Sequence, residues 1–310
     1  MNPLLITFGC SWTYGVGASY TNDISVTEYN KIAWDQTICD HFSFRGLLSK
    51  RYNLINKNFS SGGSSNQRQF RLAKEFFSLR EIEQLKDKFD KILVLWGITS
   101  TARNEMWSLE SGKLVNFFYS LQDDLKLNKY LLKFHYDHDH EVRSLRTEMH
   151  HWNTFFKSLN IDNLWFDTFN HHNYNLPGPE ILEFENLYKT AQGSDWPQWE
   201  NFLKNQFIVN QEIYDEITDE KRWAWAKLIQ PVENLLFDRE NPRDLLSKLA
   251  LQNGCQSVDD QYHKSTWNID SNRIKYLKNC KILNPISHHP TQLGHKQIAD
   301  ILSPYVGKFL

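Results

Sequence analysis

Four short apolar or β-branched runs stand out along the chain: Leu4–Phe8, Leu54–Phe59, Lys91–Trp96 and Asn163–Thr168. Each stops near a Gly, Ser, Thr or Asn, the pattern of a buried strand ending in a polar loop. Between them, Phe44–Tyr52 and Gln67–Phe89 carry apolar residues at spacings of three and four, which predicts amphipathic helices. Strands alternating with helices predict right-handed crossovers and a parallel sheet. The last segment begins at Pro290 and Thr291 and turns helical, with Ile298, Ala299, Ile301 and Leu302 on its apolar face. In such α/β folds ligands sit beyond the carboxyl ends of the strands, so the polar residues at those ends carry the most information.

From residue 169 to 281 the strand signal fades. The stretch reads as several short helices and concentrates Trp196, Trp199, Trp223 and Trp225. The expected organisation is therefore a first core part at 1–168, a helical Trp-rich insertion or lid at 169–281, and a final core part at 282–310. No internal repeat and no low-complexity linker interrupts this order.

Composition narrows the function classes. The 310 residues hold 35 basic and 37 acidic side chains, so no global field favours nucleic acid or an anionic membrane. The start, MNPLLITFGC, lacks the basic flank and apolar stretch of a signal peptide. No window approaches the ~20 apolar residues of a membrane span. Cys10, Cys39, Cys255 and Cys280 show no C-x-x-C spacing and read as free thiols of a reducing compartment. A cytoplasmic protein without cofactor is expected. The 11 Trp, 13 Tyr and 20 Phe fill a core with large rings or wall a ligand pocket.

Three strand ends are chemically loaded. Gly9-Cys10-Ser11-Trp12-Thr13-Tyr14-Gly15 follows the first, Asn58 through Asn66 the second, and Gly97 through Glu105 the third. Ser287-His288-His289-Pro290-Thr291 stands near the far end of the chain. A hydroxyl nucleophile needs a base, donors aimed at an oxyanion, and a turn that exposes Oγ. The parallel-sheet argument brings the three loops together, and a His entering the last helix can reach the same edge.

In this order the motifs resemble those of SGNH-type (GDSL) hydrolases, and of divergent members encoded by bacteriophages. Gly9, Ser11, Thr13 and Gly15 match the opening block, with Cys10 where the family has Asp. Asn58 followed by Gly63-Ser64-Ser65-Asn66 matches the second. Gly97 matches the third, where Thr99 and Ser100 replace Asn and Asp. His289-Pro290 matches the fourth, but Ile286 and Ser287 stand where its carboxylate belongs. The resemblance spans residues 6–302 and implies a three-layer α/β/α sandwich of flavodoxin-like SGNH type. It implies Ser11 as nucleophile and His289 as base. The oxyanion hole would comprise Ser11 N–H, Gly63 N–H and the Thr99 hydroxyl or, in its place, Asn66 or Asn104. Cys10 and His288 are candidates for supporting roles, and a backbone carbonyl or a distant acid such as Asp259 or Asp260 would orient His289. The implied function is a serine esterase acting on a small-molecule or carbohydrate ester. An O-acyltransferase or a decayed, non-catalytic binding protein on the same scaffold are the alternatives.

Other readings remain for single residues. Ser11 could simply cap a helix, and Gly62-Gly63 could serve only a turn. Cys10 could attack in place of Ser11, since a helix N-terminus activates a thiolate. Arg103 and Glu105 read as a surface pair at a helix start. The run HYDHDH (His135–His140) would, on a strand, place His138 and His140 on one face as metal ligands, although it lacks any H-E-x-x-H or Cys pair. SSGGSSNQR lacks the lysine-bearing pattern of a phosphate loop, and Gly15-Val16-Gly17 lacks the rest of a dinucleotide fingerprint.

Overall fold

The computed structural model describes residues 2–101, 103–118, 138–168, 232–237, 244–255 and 275–310. Its centre is a four-stranded parallel sheet in the order β2-β1-β3-β6. The strands are β1 Leu4–Phe8, β2 Ile55–Asn58, β3 Ile92–Ile98 and β6 Asp162–Asp167. All four predicted strands are present, each with its ends moved by no more than two residues. β1 is central: Thr7 is in register with Asn58 on one side and with Leu95 on the other. The chain leaves β1 for one neighbour and later returns to the other. The carboxyl ends of β1, β2 and β3 therefore border a topological switch point, the position where open α/β sheets bind ligands.

Alternation along the strands divides the core between the two sheet faces. Leu5, Leu93, Leu95, Leu164 and Phe166 face α4 (Phe44–Tyr52), α8 (Leu245–Gln252) and α9 (Gln292–Val306). Leu4, Ile6, Phe8, Val94, Trp96 and Trp165 face α5 (Asn66–Phe76), α6 (Leu79–Lys88) and α7 (His138–Ser158). Helices thus cover both faces, an arrangement compatible with a three-layer α/β sandwich. Much of the aromatic content is spent here. Phe59, Phe8, Trp96 and Trp165 form one stacked column across the sheet, with successive centroids 5.1, 4.3 and 4.6 Å apart.

The structure departs from the sequence reading in four places. The single helical pattern Gln67–Phe89 is two helices, because Ser78 breaks the first run and caps the second, its hydroxyl accepting from Glu81 N–H at 3.3 Å. The third loop leads not into a helix but into a hairpin, β4 Arg103–Ser108 with β5 Lys113–Phe118. Arg103 and Glu105 accordingly sit on a strand. Glu105 pairs with Arg71 of α5 through two bonds of 2.8 Å, not with Arg103. Residues 138–140 start α7, so the strand on which His138 and His140 would share a face is not formed there. Finally, parts of the expected insertion belong to the core. Leu236 N–H donates to Trp165 O at 2.8 Å beside β6, and Leu245, Leu249 and Ala250 of α8 pack in the same cluster as α4 and α9. Trp196, Trp199, Trp223 and Trp225 lie outside the described residues. Two further helices, α2 (Val26–Ile32) and α3 (Gln36–Phe42), fill the connection after β1. No helix among the described residues is long and apolar enough to cross a membrane, and all four cysteines are unbridged.

Candidate active site

β1 ends at Phe8, and one turn of helix, α1 (Ser11–Tyr14), follows at once. The glycines of this motif have steric causes. A Cβ on Gly9 or on Gly97 would collide with the Thr13 side chain, so Thr13 occupies a slot between the ends of β1 and β3. Gly15 closes α1 in the left-handed region at φ 106°, donating to Ser11 O at 3.1 Å. Arg45, fully buried, caps the same turn. Its Nε donates to Thr13 O at 3.1 Å and its Nη2 to Tyr14 O at 2.9 Å, while Asp40 balances its charge. Ser11 therefore stands on a braced turn and is 8% exposed.

His289 meets it from the other end of the chain. His289 Nε2 lies 2.7 Å from Ser11 Oγ, across a sequence separation of 278 residues. The segment that carries His289 is organised by Asn284, which is fully buried. Its backbone N–H and its Nδ2 both donate to His289 O, at 2.9 and 3.0 Å. Its Oδ1 accepts from Ser287 N–H at 2.7 Å and from Ser287 Oγ at 3.1 Å. Tyr29 of α2 closes the network with its hydroxyl 2.8 Å from Ser287 Oγ. On the other side Gly17, at φ 97°, lets His289 Cβ and Pro290 O approach the backbone where a side chain would not fit.

Burial pushes the His289 imidazole down to about 4, with the charges of Arg103 and His288 acting in the same direction and the Ser287 backbone opposing. The ring is therefore neutral near pH 7 and able to accept a proton at Nε2. Nδ1 is buried and has no side-chain hydrogen-bond partner among the described residues, and the Ser287 backbone is the one group that favours the charged ring. Ser287, at one of the positions where an acid could stand, is turned instead towards Tyr29 and Asn284. Asp259 and Asp260 lie outside the described residues.

The second and third loops converge on the same edge. Ser61 N–H donates to Gly9 O at 3.2 Å, and Asn58 Oδ1 accepts from Thr7 Oγ1 at 3.0 Å and from both Ser60 donors. Gly63 takes φ 64°, a conformation few other residues adopt cheaply. Thr99 and Asn66 differ in their partners. Asn66 is fastened to Thr99 at both ends of its carboxamide, Nδ2 to Thr99 O at 2.8 Å and Oδ1 from Thr99 N–H at 3.0 Å. Thr99 Oγ1, by contrast, is buried without a hydrogen-bond partner among the described residues. Thr99 keeps an unspent hydroxyl, and Asn66 positions it. Asn104 lies on β4, where its Oδ1 accepts from Glu105 N–H at 2.7 Å.

The two expected supports Cys10 and His288 both stand apart from the Ser11–His289 hydrogen bond. Cys10 is 0% exposed and sits in the apolar cluster with Leu95 and Phe166, making no side-chain cap to α1. It buttresses the turn by packing and is not placed as the nucleophile. His288 takes φ 57°, and its Nε2 lies 2.6 Å from Lys278 Nζ, so it stands outside the Ser11–His289 pair. Among the described residues no group of three or more His, Cys, Asp or Glu could hold a metal ion. His135–Asp137 of the HYDHDH run lie outside them. The sequence reading missed Asn284, Tyr29 and Arg45. Asn284 had a local signal, an Asn three residues before a Ser in a Pro-containing turn; Tyr29 and Arg45 had none.

No protein-family model matches the chain, and a search of curated proteins finds none that matches it.

Proposed function

We propose that the chain is a serine esterase of SGNH type, its sheet and two helical layers forming the three-layer α/β/α sandwich of that fold. The observation that carries the reading is the 2.7 Å approach of His289 Nε2 to Ser11 Oγ at the switch-point edge of the sheet. Ser11 Oγ attacks the acyl carbonyl carbon while His289 Nε2 takes the hydroxyl proton. The oxyanion that forms is met by Ser11 N–H, Gly63 N–H and the Thr99 hydroxyl. His289 then returns the proton to the departing alkoxide, which leaves as an alcohol and leaves Ser11 acylated. Water, deprotonated by the same ring, attacks the acyl-enzyme, and the ring returns that proton to Ser11 Oγ as the acid is released. The substrate class is an O-acyl ester of a carbohydrate.

A fluorophosphonate probe tests the chemistry. Ser11 of the folded wild-type chain is expected to be labelled, Ser11→Ala to lose the label and Cys10→Ala to keep it. A folded wild type that stays unlabelled would falsify the esterase reading.

One observation favours a second reading, a non-catalytic binding protein on the same scaffold. His289 lacks a side-chain partner at Nδ1, and burial leaves its ring a weak base. An acyltransferase would share the Ser11–His289 chemistry and differ only in the acceptor. Product analysis with an added alcohol separates it from the hydrolase.

A further inference from the structure

Gly62 is glycine for an unusual reason. It lies outside the positive-φ region, so its backbone needs no glycine. What requires it is Trp34, whose six-membered ring lies where a Gly62 Cβ would be. The indole rests on bare backbone one residue before Gly63. It is nevertheless 50% exposed, unusual for a side chain this large with a core available. Its position is held from behind. Tyr14, the last residue of α1, donates its hydroxyl to Trp34 O at 3.1 Å, and the two rings stand 5.6 Å apart at 52°. Asp35, the next residue, caps α3 by accepting from Ile38 N–H at 3.0 Å.

The same glycine is held from another direction. Asn116 of β5 donates Nδ2 to Gly62 O at 3.3 Å. Asn116 pairs with Glu105, and two residues further out Trp107 pairs with Leu114 on the same face of the hairpin. Trp107 is 60% exposed. Trp34 therefore borders the Gly62-Gly63 turn directly, beside the half-buried Ser61 and the Asn116 bond, and Trp107 stands further out on the same hairpin face as Glu105, the cross-strand partner of Asn116.

We propose that Trp34, seated on Gly62, is a stacking shelf for the pyranose ring of the ester's alcohol part, with Trp107 as the outer rim. A pyranose has an apolar C–H face that suits an indole and a hydroxyl edge that suits Ser61 and Asn116. A fatty chain would cover the Ser61 hydroxyl and the remaining hydrogen-bonding positions of Asn116 without pairing them, at a cost in affinity. This rests on the esterase reading for the identity of the bond cleaved, but not for the shelf itself.

The test is calorimetry on the full-length Ser11→Ala chain, which cannot turn the ligand over. The ligands are an O-acetylated oligosaccharide of pyranoses and a fatty-acyl glycerol ester. The sugar ester is expected to bind, Trp34→Ala to weaken it by roughly tenfold or more, and Trp34→Phe to restore part of the loss. No binding of the sugar ester, an affinity indifferent to Trp34, or tighter binding of the fatty ester would overturn the proposal. Melting temperatures check that each variant is folded. Labelling of wild-type Ser11 reports separately. A labelled chain whose sugar affinity ignores Trp34 sinks the shelf alone; an unlabelled chain whose sugar affinity depends on Trp34 sinks the esterase reading alone.

Discussion

Asn284 gives two donors to one acceptor: its backbone N–H and its Nδ2 both reach the carbonyl oxygen of His289, at 2.9 and 3.0 Å. A carboxylate in a catalytic triad orients the ring through Nδ1. Here the orientation comes through the backbone that carries the ring. Asn284→Ala is expected to slow fluorophosphonate labelling of Ser11 by about 10–100-fold, because a misplaced base loses its approach to Oγ. Tyr29→Phe removes one hydroxyl at the network's edge and is expected to cost less. A folded Asn284→Ala chain labelled at the wild-type rate would show that the network is only structural.

The pH profile of labelling follows from the burial of His289. Its ring sits at about 4, so the neutral base is present at pH 5 and above. The rate is expected to be flat from about pH 5 to 8 and to fall through a midpoint near 4. A midpoint near the ordinary histidine value of about 6.5 would mean that the ring is hydrated in solution.

Stability should respond to pH through a different histidine. His295 in α9 is fully buried and pushed down to about 3, chiefly by desolvation. Its folded-state value lies below its unfolded one, so the unfolded chain binds the extra proton as pH drops below about 6.5. Stability is therefore lost as pH falls from there towards 3, by up to about 5 kcal/mol for this ring. His295→Asn, neutral throughout, is expected to flatten the fall in melting temperature between pH 6.5 and 4, although its baseline stability will be lower. His289 contributes in the same direction, over 6.5 to 4.

Thr99 tests the oxyanion hole. Thr99→Val keeps the shape and removes the hydroxyl, which has no partner to lose among the described residues. Labelling is expected to fall by about 10²–10³-fold with the melting temperature nearly unchanged. Thr99→Ser is expected to retain most of the rate. Asn66→Ala removes the clamp on the Thr99 backbone and should lower both rate and stability.

The slot for Thr13 predicts a coupled pair. Gly97→Ala pushes a methyl into the Thr13 hydroxyl and is expected to cost about 1–3 kcal/mol in urea denaturation. Thr13→Ala removes that atom, so the double variant should be more stable than the sum of the single effects implies. Additive effects would place the strain elsewhere, the Phe166 ring being the next neighbour at 3.0 Å.

The core strands were legible because their information is local. Apolar runs such as Leu4–Phe8 and Lys91–Trp96 are buried on both faces, and a short run bounded by polar turn residues has few other ways to fold. The order of the loaded loops was equally legible, since parallel connections deliver successive strand ends to one edge. The hairpin Arg103–Phe118 was not. Its strands are half exposed, with little alternation to read, and its antiparallel pairing depends on a turn at Gly112. The break at Ser78 was hidden for a related reason: Phe76, Phe77 and Leu79 keep the apolar period running across the cap.

By itself, then, the sequence determined an α/β chain with a parallel sheet, and it singled out Ser11, Gly63, Thr99 and His289 as the residues to watch. Periodicity and turn chemistry act over a few residues, and those features are written at that range. Only the tertiary structure decided which of them meet. It set His289 Nε2 against Ser11 Oγ, left the Thr99 hydroxyl unspent by tying Asn66 to its backbone, moved Cys10 into the core and His288 out to Lys278, and seated Trp34 on Gly62. Each of these depends on packing between segments remote in sequence, where sterics and hydrogen-bond satisfaction choose among side chains that look equally suitable in the sequence.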